Sequence, residues 1–231
     1  AKGEPTLIVP RMELERLSQA VTVTQVVHYW EMDAKPGRGW FELLEKTIGS
    51  TQRIGLEPGV EADIVAKLST YPWSVLPLIE DIRVIKSPAE IALTQRIATY
   101  WTAAMNNMLK QIHVGQAVPE LMRIGGQVTK DIFADEPGAD QFNTCAAMVY
   151  QISPDSSSPH HFSMCADDII PHGATVINSV GCVKWYNAEN ERTVLVGDYT
   201  GEQAELFDIA TQGQQLALDL IKPGVACAEV E

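Results

Sequence analysis

The chain has 231 residues and a formal charge of −13, long enough to bury a substantial core as one large domain or two small ones. A net negative field argues against nonspecific binding to nucleic acid or to an anionic membrane, since both need a surface that attracts phosphate. With 45% hydrophobic and 20% charged residues, and no apolar run near the roughly 18 residues of a membrane span, the composition is that of an ordinary globular protein.

The opening segment AKGEPTLIVPRM carries no signal-peptide pattern, which makes the cytoplasm the expected compartment. Residues 1–84 alternate short strands and helices. PTLIVP reads as a buried strand, RMELERLSQA as a helix, VTVTQVVHYW as a β-branched strand, WFELLEKTIG as a helix, RIGLEP as a short strand and VEADIVAKLS as a helix. This succession implies an α/β unit. The join IRVIKSPAEIALTQRI follows, where Ser87, Pro88 and Glu90 have the chemistry of a helix start: a hydroxyl to cap free amides, proline at the first turn and a carboxylate three residues on. A long helix is expected from there to about Ile112, opening a second domain over 85–231.

Gly115 and Pro119 bracket a break, and PELMRIGGQVTKDIF predicts a second helix weakened in its interior by Gly125 and Gly126. FNTCAAMVYQIS reads as a strand leading into the loop SPDSSSPHHF. Residues 174–196 predict a hairpin, two β-rich runs around a polar turn. EQAELFDIATQGQQLALDLI is a strongly amphipathic helix closed by Lys222, Pro223 and Gly224, and Val225 to Glu231 begin another. Cys145, Cys165, Cys182 and Cys227 lie 20, 17 and 45 residues apart with no CxxC pairing; reduced thiols are the expectation.

Chemistry concentrates in the hairpin and the loop before it. If the second hairpin strand is extended, Glu189, Glu191 and Thr193 share one face and Arg192 points the other way. Two carboxylates can then face one pocket, or form a solvated acidic strand end. Asn178 can orient a substrate or a water, or satisfy backbone groups. His160 and His161 sit in a Ser- and Pro-rich loop, where a tandem pair is either exposed and structural or a proton carrier near neutral pH. Trp185 and Tyr186 at the turn read as packing residues. His28, His113 and His172 lack a motif partner and receive no catalytic role.

Asn178, Glu189 and the run Glu191-Arg192-Thr193 resemble the hairpin of the pita-bread hydrolases, the family of creatinase, prolidase, aminopeptidase P and methionine aminopeptidase. In the metallopeptidase members two aspartates stand eleven residues apart, where this chain has Asn178 and Glu189, and a threonine stands where it has Glu191. The metal-free member, creatinase, is similar in having asparagine at the first position and Glu-Arg-Thr thirteen residues on. The run Arg83 to Glu90, and His161 seventeen residues before Asn178, fall in the family's order and spacing.

The resemblance implies an α/β (α+β) fold: a partial creatinase-type N-terminal α/β domain over 1–84, then the first half of a pita-bread catalytic domain over 85–231. The family's second half, with another histidine and two glutamates, is not in this sequence, so the chain reads as a fragment inactive by itself. The leading expectation for the intact protein is a creatinase-like hydrolase of C–N bonds in a small or dipeptide-like substrate. His161, or less favourably His160, moves the proton; Glu191, Glu189, Asn178 and Arg192 bind substrate; no metal or other cofactor is expected.

The first alternative is a metal-dependent Xaa-Pro dipeptidase or aminopeptidase, with Glu189 and Asn178 binding one or two divalent ions (Mn, Zn, Co or Fe). The second is a non-catalytic binding module that retains the fold. A homodimer is implied by the resemblance alone.

Overall fold

Parallel strand pairs organise the first of two units, Ala1–Ile85. In this computed structural model the described residues are 3–20 (backbone only for 18–20), 22–32, 35–50, 53–158, 160–163 and 167–231. Strand β1 (Thr6–Pro10) pairs in parallel with β2 (Gln25–Tyr29), Ile8 opposite Val27. Parallel neighbours need a crossover, here a 3-10 turn at Arg11–Glu13 and helix α1 (Leu14–Ala20). After α2 (Trp40–Ile48), β3 (Ile54–Leu56) and β4 (Trp73–Val75) pair the same way around α3 (Ala62–Lys67). The sequence reading lacks β4 and helix α4 (Leu78–Val84). A three-residue strand is too short to display alternation, and α4 runs from unassigned residues into the first three of the join, Ile82 to Val84. Val21, the start of the VTVTQVVHYW run, lies outside the described residues, and β2 itself begins only at Gln25.

In the second unit, Lys86–Glu231, helix α5 (Pro88–Leu109) starts in a full capping box. Ser87 Oγ accepts from the Glu90 amide at 3.3 Å, and Glu90 Oε2 accepts from the Ser87 amide at 2.6 Å. The Tyr186 hydroxyl donates to Glu90 Oε1 at 2.8 Å. The Ser87 bonds, then that of Tyr186, hold the Glu90 carboxyl down at about 2. Tyr186 is thus more than a packing residue: it ties the hairpin to the helix start. The helix ends at Leu109, short of the expected Ile112.

A three-stranded antiparallel sheet, β5 (Cys145–Ile152), β6 (Gly173–Val183) and β7 (Tyr186–Val196), packs one face on α5 and on α6 (Val118–Asp135). Ile97, Trp101, Met105 and Met108 of α5 and Leu121, Ile124, Val128 and Ile132 of α6 recur at helical spacing and are buried against Met148, Tyr150, Ile177 and Val183. Each such side chain contributes about 1.5–3 kcal/mol by leaving water. Gly125 has a packing reason: a Cβ there would come 3.1 Å from the Met148 amide nitrogen and 3.3 Å from the Ala146 oxygen, so its absence lets α6 close on β5. Gly126 faces open space.

The β6–β7 turn is Lys184-Trp185, with φ of 52° and 68°. Two successive left-handed residues give the twist that suits a two-residue hairpin. Non-glycine residues hold it because the Trp185 amide donates to the Asn143 oxygen at 3.0 Å and the Lys184 amide to Thr144 Oγ1 at 3.3 Å. Helix α7 (Gly201–Leu220) and the short α8 (Cys227–Val230) follow. The strong amphipathicity expected of α7 meets a different environment: none of its residues is buried, and Leu206, Ile209, Leu216 and Leu218 are exposed.

One buried charge organises this core. The Glu136 side chain, just past α6, is 3% exposed and accepts from Arg96 Nε at 2.7 Å and Nη2 at 3.2 Å, with Lys184 Nζ at 3.5 Å. The Arg96 hydrogen bonds outweigh burial and hold the Glu136 carboxyl below its usual range. Stripping a fully buried carboxylate of its partner costs about 3–5 kcal/mol. Arg96 is half exposed and Lys184 stays, so Arg96→Ala is expected to lose only part of that, read as a lower urea midpoint at pH 7. A depressed carboxyl contributes stability above its unfolded pKa and loses it as pH falls through the folded value. The gap between wild type and variant therefore closes in acid, below about pH 4.

Candidate functional site

Strand alternation sends one set of sheet side chains to the helices and the other to the opposite face. On that second face Val149 of β5, Asn178 of β6 and Glu191 of β7 lie directly across from one another, with Glu189 two residues back along β7. Asn178, only 4% exposed, donates through Nδ2 to Glu189 Oε1 and to Glu191 Oε2, the latter at 3.2 Å. Two carboxylate oxygens thus converge on one point. Asn178 Oδ1 is buried with no hydrogen-bond partner among the described residues, so the amide satisfies the two acids and leaves its own acceptor free.

Arg192, on the alternate position, donates through Nη1 to the Glu191 backbone oxygen at 2.6 Å. It also lines, with Glu191 and Thr193, a groove of about 410 Å³ between β7 and α7, whose far wall carries Gln203, Phe207 and Gln214. The α7 wall is invisible to sequence reasoning, because the meeting of β7 with α7 depends on tertiary path and no spacing encodes it.

His161 and His160 stand apart from this cluster. His161 Nε2 lies 3.8 Å from Asp155 Oδ2, both side chains being more than half exposed. His160 takes a φ of 64° and its ring meets Phe162 edge-on, centroids 5.7 Å apart. Among the described residues no hydrogen bond or ion pair joins either histidine to Asn178, Glu189 or Glu191. The loop is nevertheless fastened nearby: the Ser163 amide donates to the Tyr150 oxygen at 2.7 Å, one residue from Val149, the register partner of Asn178. Asp155, six residues before His161, is the partner that sequence reasoning missed.

The donor set of this chain suits one hard divalent ion. Glu189 and Glu191 bring anionic oxygens within reach of a single point, and Asn178 has an unpartnered buried oxygen able to join them if the amide turns over. A close pair of ions would need more negative charge than two carboxylates and a neutral amide supply. Among the described residues no three His, Cys, Asp or Glu side chains cluster as a ready-made metal site. No described helix is long and apolar enough to cross a membrane. Cys145, Cys182 and Cys227 are free thiols, and Cys165 lies outside the described residues.

Comparison with known proteins bears on the fold and the family. Over 232 residues the chain is 24% identical to the Xaa-Pro dipeptidase of Pyrococcus horikoshii, covering 98% of this chain and 61% of that protein. It is 21% identical to the probable dipeptidase PepE of Mycobacterium bovis, covering 100% of this chain and 60% of that protein. Among solved structures, the prolidase of Pyrococcus horikoshii superposes with a TM-score of 0.77 at 23% identity, covering 97% of this chain and 61% of that one. The chain therefore has the pita-bread fold of these peptidases and spans about three fifths of the length of the relatives it matches. Residues 91–231, more than half of the chain, match metallopeptidase family M24, and the protein belongs to that family.

Proposed function

We propose that the intact protein is a metal-dependent Xaa-Pro dipeptidase, cleaving a C–N bond in a dipeptide-like substrate. The observation that carries this reading is the convergence of Glu189 and Glu191 on one point beside Asn178. The relatives named above favour it over the metal-free, creatinase-like expectation. Glu189, Glu191 and the Asn178 oxygen would hold one divalent ion, whose chemistry is Lewis-acid activation of water. Glu191 and Arg192 line the groove between β7 and α7, and their opposite charges suit the two ends of a zwitterionic dipeptide. His161, whose Nε2 lies 3.8 Å from Asp155 Oδ2, would be the proton carrier for the leaving nitrogen. The homodimer and the cytoplasmic setting belong to the same proposal, and sedimentation of the intact protein tests the first.

A second reading keeps the creatinase-like mechanism, and one observation favours it: the Asn178 amide already occupies the point between the two carboxylates as a neutral donor. The two are separated by elemental analysis of the intact protein, purified without added metal, with hydrolysis of an Xaa-Pro dipeptide and of creatine before and after chelation. About one equivalent of divalent metal with chelator-sensitive dipeptidase activity is the expected result. Metal-free protein with chelator-resistant turnover of creatine overturns it in favour of the second reading. Ligand binding without any turnover leaves a non-catalytic module.

A further inference from the structure

Cys145 and Cys182 are directly opposed across the antiparallel β5–β6 ladder, their sulfurs 3.7 Å apart. Residues so paired have Cα atoms about 4.5 or 5.5 Å apart, inside the range a disulfide spans. The neighbouring backbone enforces the approach. At Gly181 a Cβ would sit 2.1 Å from the Cys145 carbonyl oxygen, so β5 comes closer to β6 here than any side chain at that position would allow. Access is unequal: Cys145 is exposed, whereas Cys182 is 8% exposed and its thiol donates to the Asn143 oxygen at 3.6 Å. An outer thiol thus meets the reagent, with an inner thiol held against it.

We propose that Cys145 and Cys182 are a modification site, forming a reversible disulfide in response to hydroperoxides. The site goes beyond the dipeptidase reading and does not depend on it. In the first step the Cys145 thiolate attacks one oxygen of hydrogen peroxide; the O–O bond breaks, leaving Cys145 as a sulfenic acid and releasing water after proton uptake. The Cys182 sulfur, giving up its proton, then attacks the Cys145 sulfur; the S–S bond forms and the hydroxyl leaves as a second water. Two thiols and one peroxide become one disulfide and two waters, and a small dithiol reverses the change. Cys182 lies four residues along β6 from Asn178 with the same strand parity, so the cross-link closes the end of the face that carries the candidate site.

The test is peptide mapping of the intact protein after hydrogen peroxide, alkylation and digestion. The expected result is a cross-linked pair containing Cys145 and Cys182 that disappears with dithiothreitol, and a Tm raised by roughly 5 °C, because the bond closes a long loop in the unfolded chain. That rise is absent from Cys145→Ser. Cys182→Ser, lacking the resolving thiol, leaves Cys145 as a sulfenic acid that a dimedone probe captures. Both thiols remaining open to alkylation after peroxide overturns the proposal. So does a cross-link from either one to Cys165 or Cys227, or conversion of Cys145 to a sulfinic acid without any cross-link.

Discussion

Glu189→Gln in the intact protein is expected to lower kcat/KM on an Xaa-Pro dipeptide by about 10²-fold or more, close to 3 kcal/mol of transition-state stabilisation. Its bound metal should fall with it. The substitution keeps the shape of the side chain and a carbonyl oxygen for Asn178 Nδ2, so the hairpin register of Glu189 opposite Val180 is retained. What is lost is one of two negative charges converging beside Asn178. Metal content and circular dichroism, measured with the kinetics, separate this outcome from unfolding. Unchanged activity with unchanged metal would remove Glu189 from the site and with it the single-ion arrangement.

Gly181→Ala carries the largest expected effect on stability. The new Cβ would stand 2.1 Å from the Cys145 oxygen, 3.0 Å from its carbonyl carbon and 3.1 Å from the Ala146 Cα. All three are backbone atoms, so no rotamer change relieves the overlap and β5 must move away from β6. A cost of about 3 kcal/mol is expected, a fall in Tm of roughly 6–12 °C for a chain of this size. Gly126→Ala is the internal control with the opposite sign. It lies inside α6 facing open space, so alanine there should stabilise by about 0.5–1 kcal/mol by removing glycine's entropic cost. Parallel thermal melts check both signs. Equal behaviour of the two variants would mean that close approach of the strands at Gly181 does not matter.

The hairpin was legible in advance because its information is local. Period-2 alternation puts Glu189 and Glu191 on one face of the second strand, and the observed register sets Asn178 opposite Glu191, where one amide joins all three. The α5 start was equally local, since Ser87, Pro88 and Glu90 fit the cap within one turn. Short local patterns escape the reading: β4 has three residues and α4 only seven, the last three of them in the join. The expectation of no metal is not supported by the comparisons: membership of the M24 family and the Xaa-Pro dipeptidase relatives favour the metal-dependent alternative, which the lost charge at Asn178 had made second choice.

By itself, then, the sequence determined the alternation of elements, the site-bearing hairpin and the family resemblance, all properties of residues within a few positions of each other or at set intervals. Only tertiary structure decided which distant groups meet. Arg96 and Glu136, forty residues apart, form the buried ion pair; Cys145 and Cys182, thirty-seven apart, face each other across two strands; Gly125 and Gly181 are needed because foreign backbone passes there. His161 shows the boundary between the two: its spacing from Asn178 singles it out in the sequence, but its contact with Asp155 and its separation from the Asn178 cluster depend on the path of that loop in space. Spacing along a chain constrains which side of an element a residue occupies, while partner identity follows from packing, which no local pattern encodes.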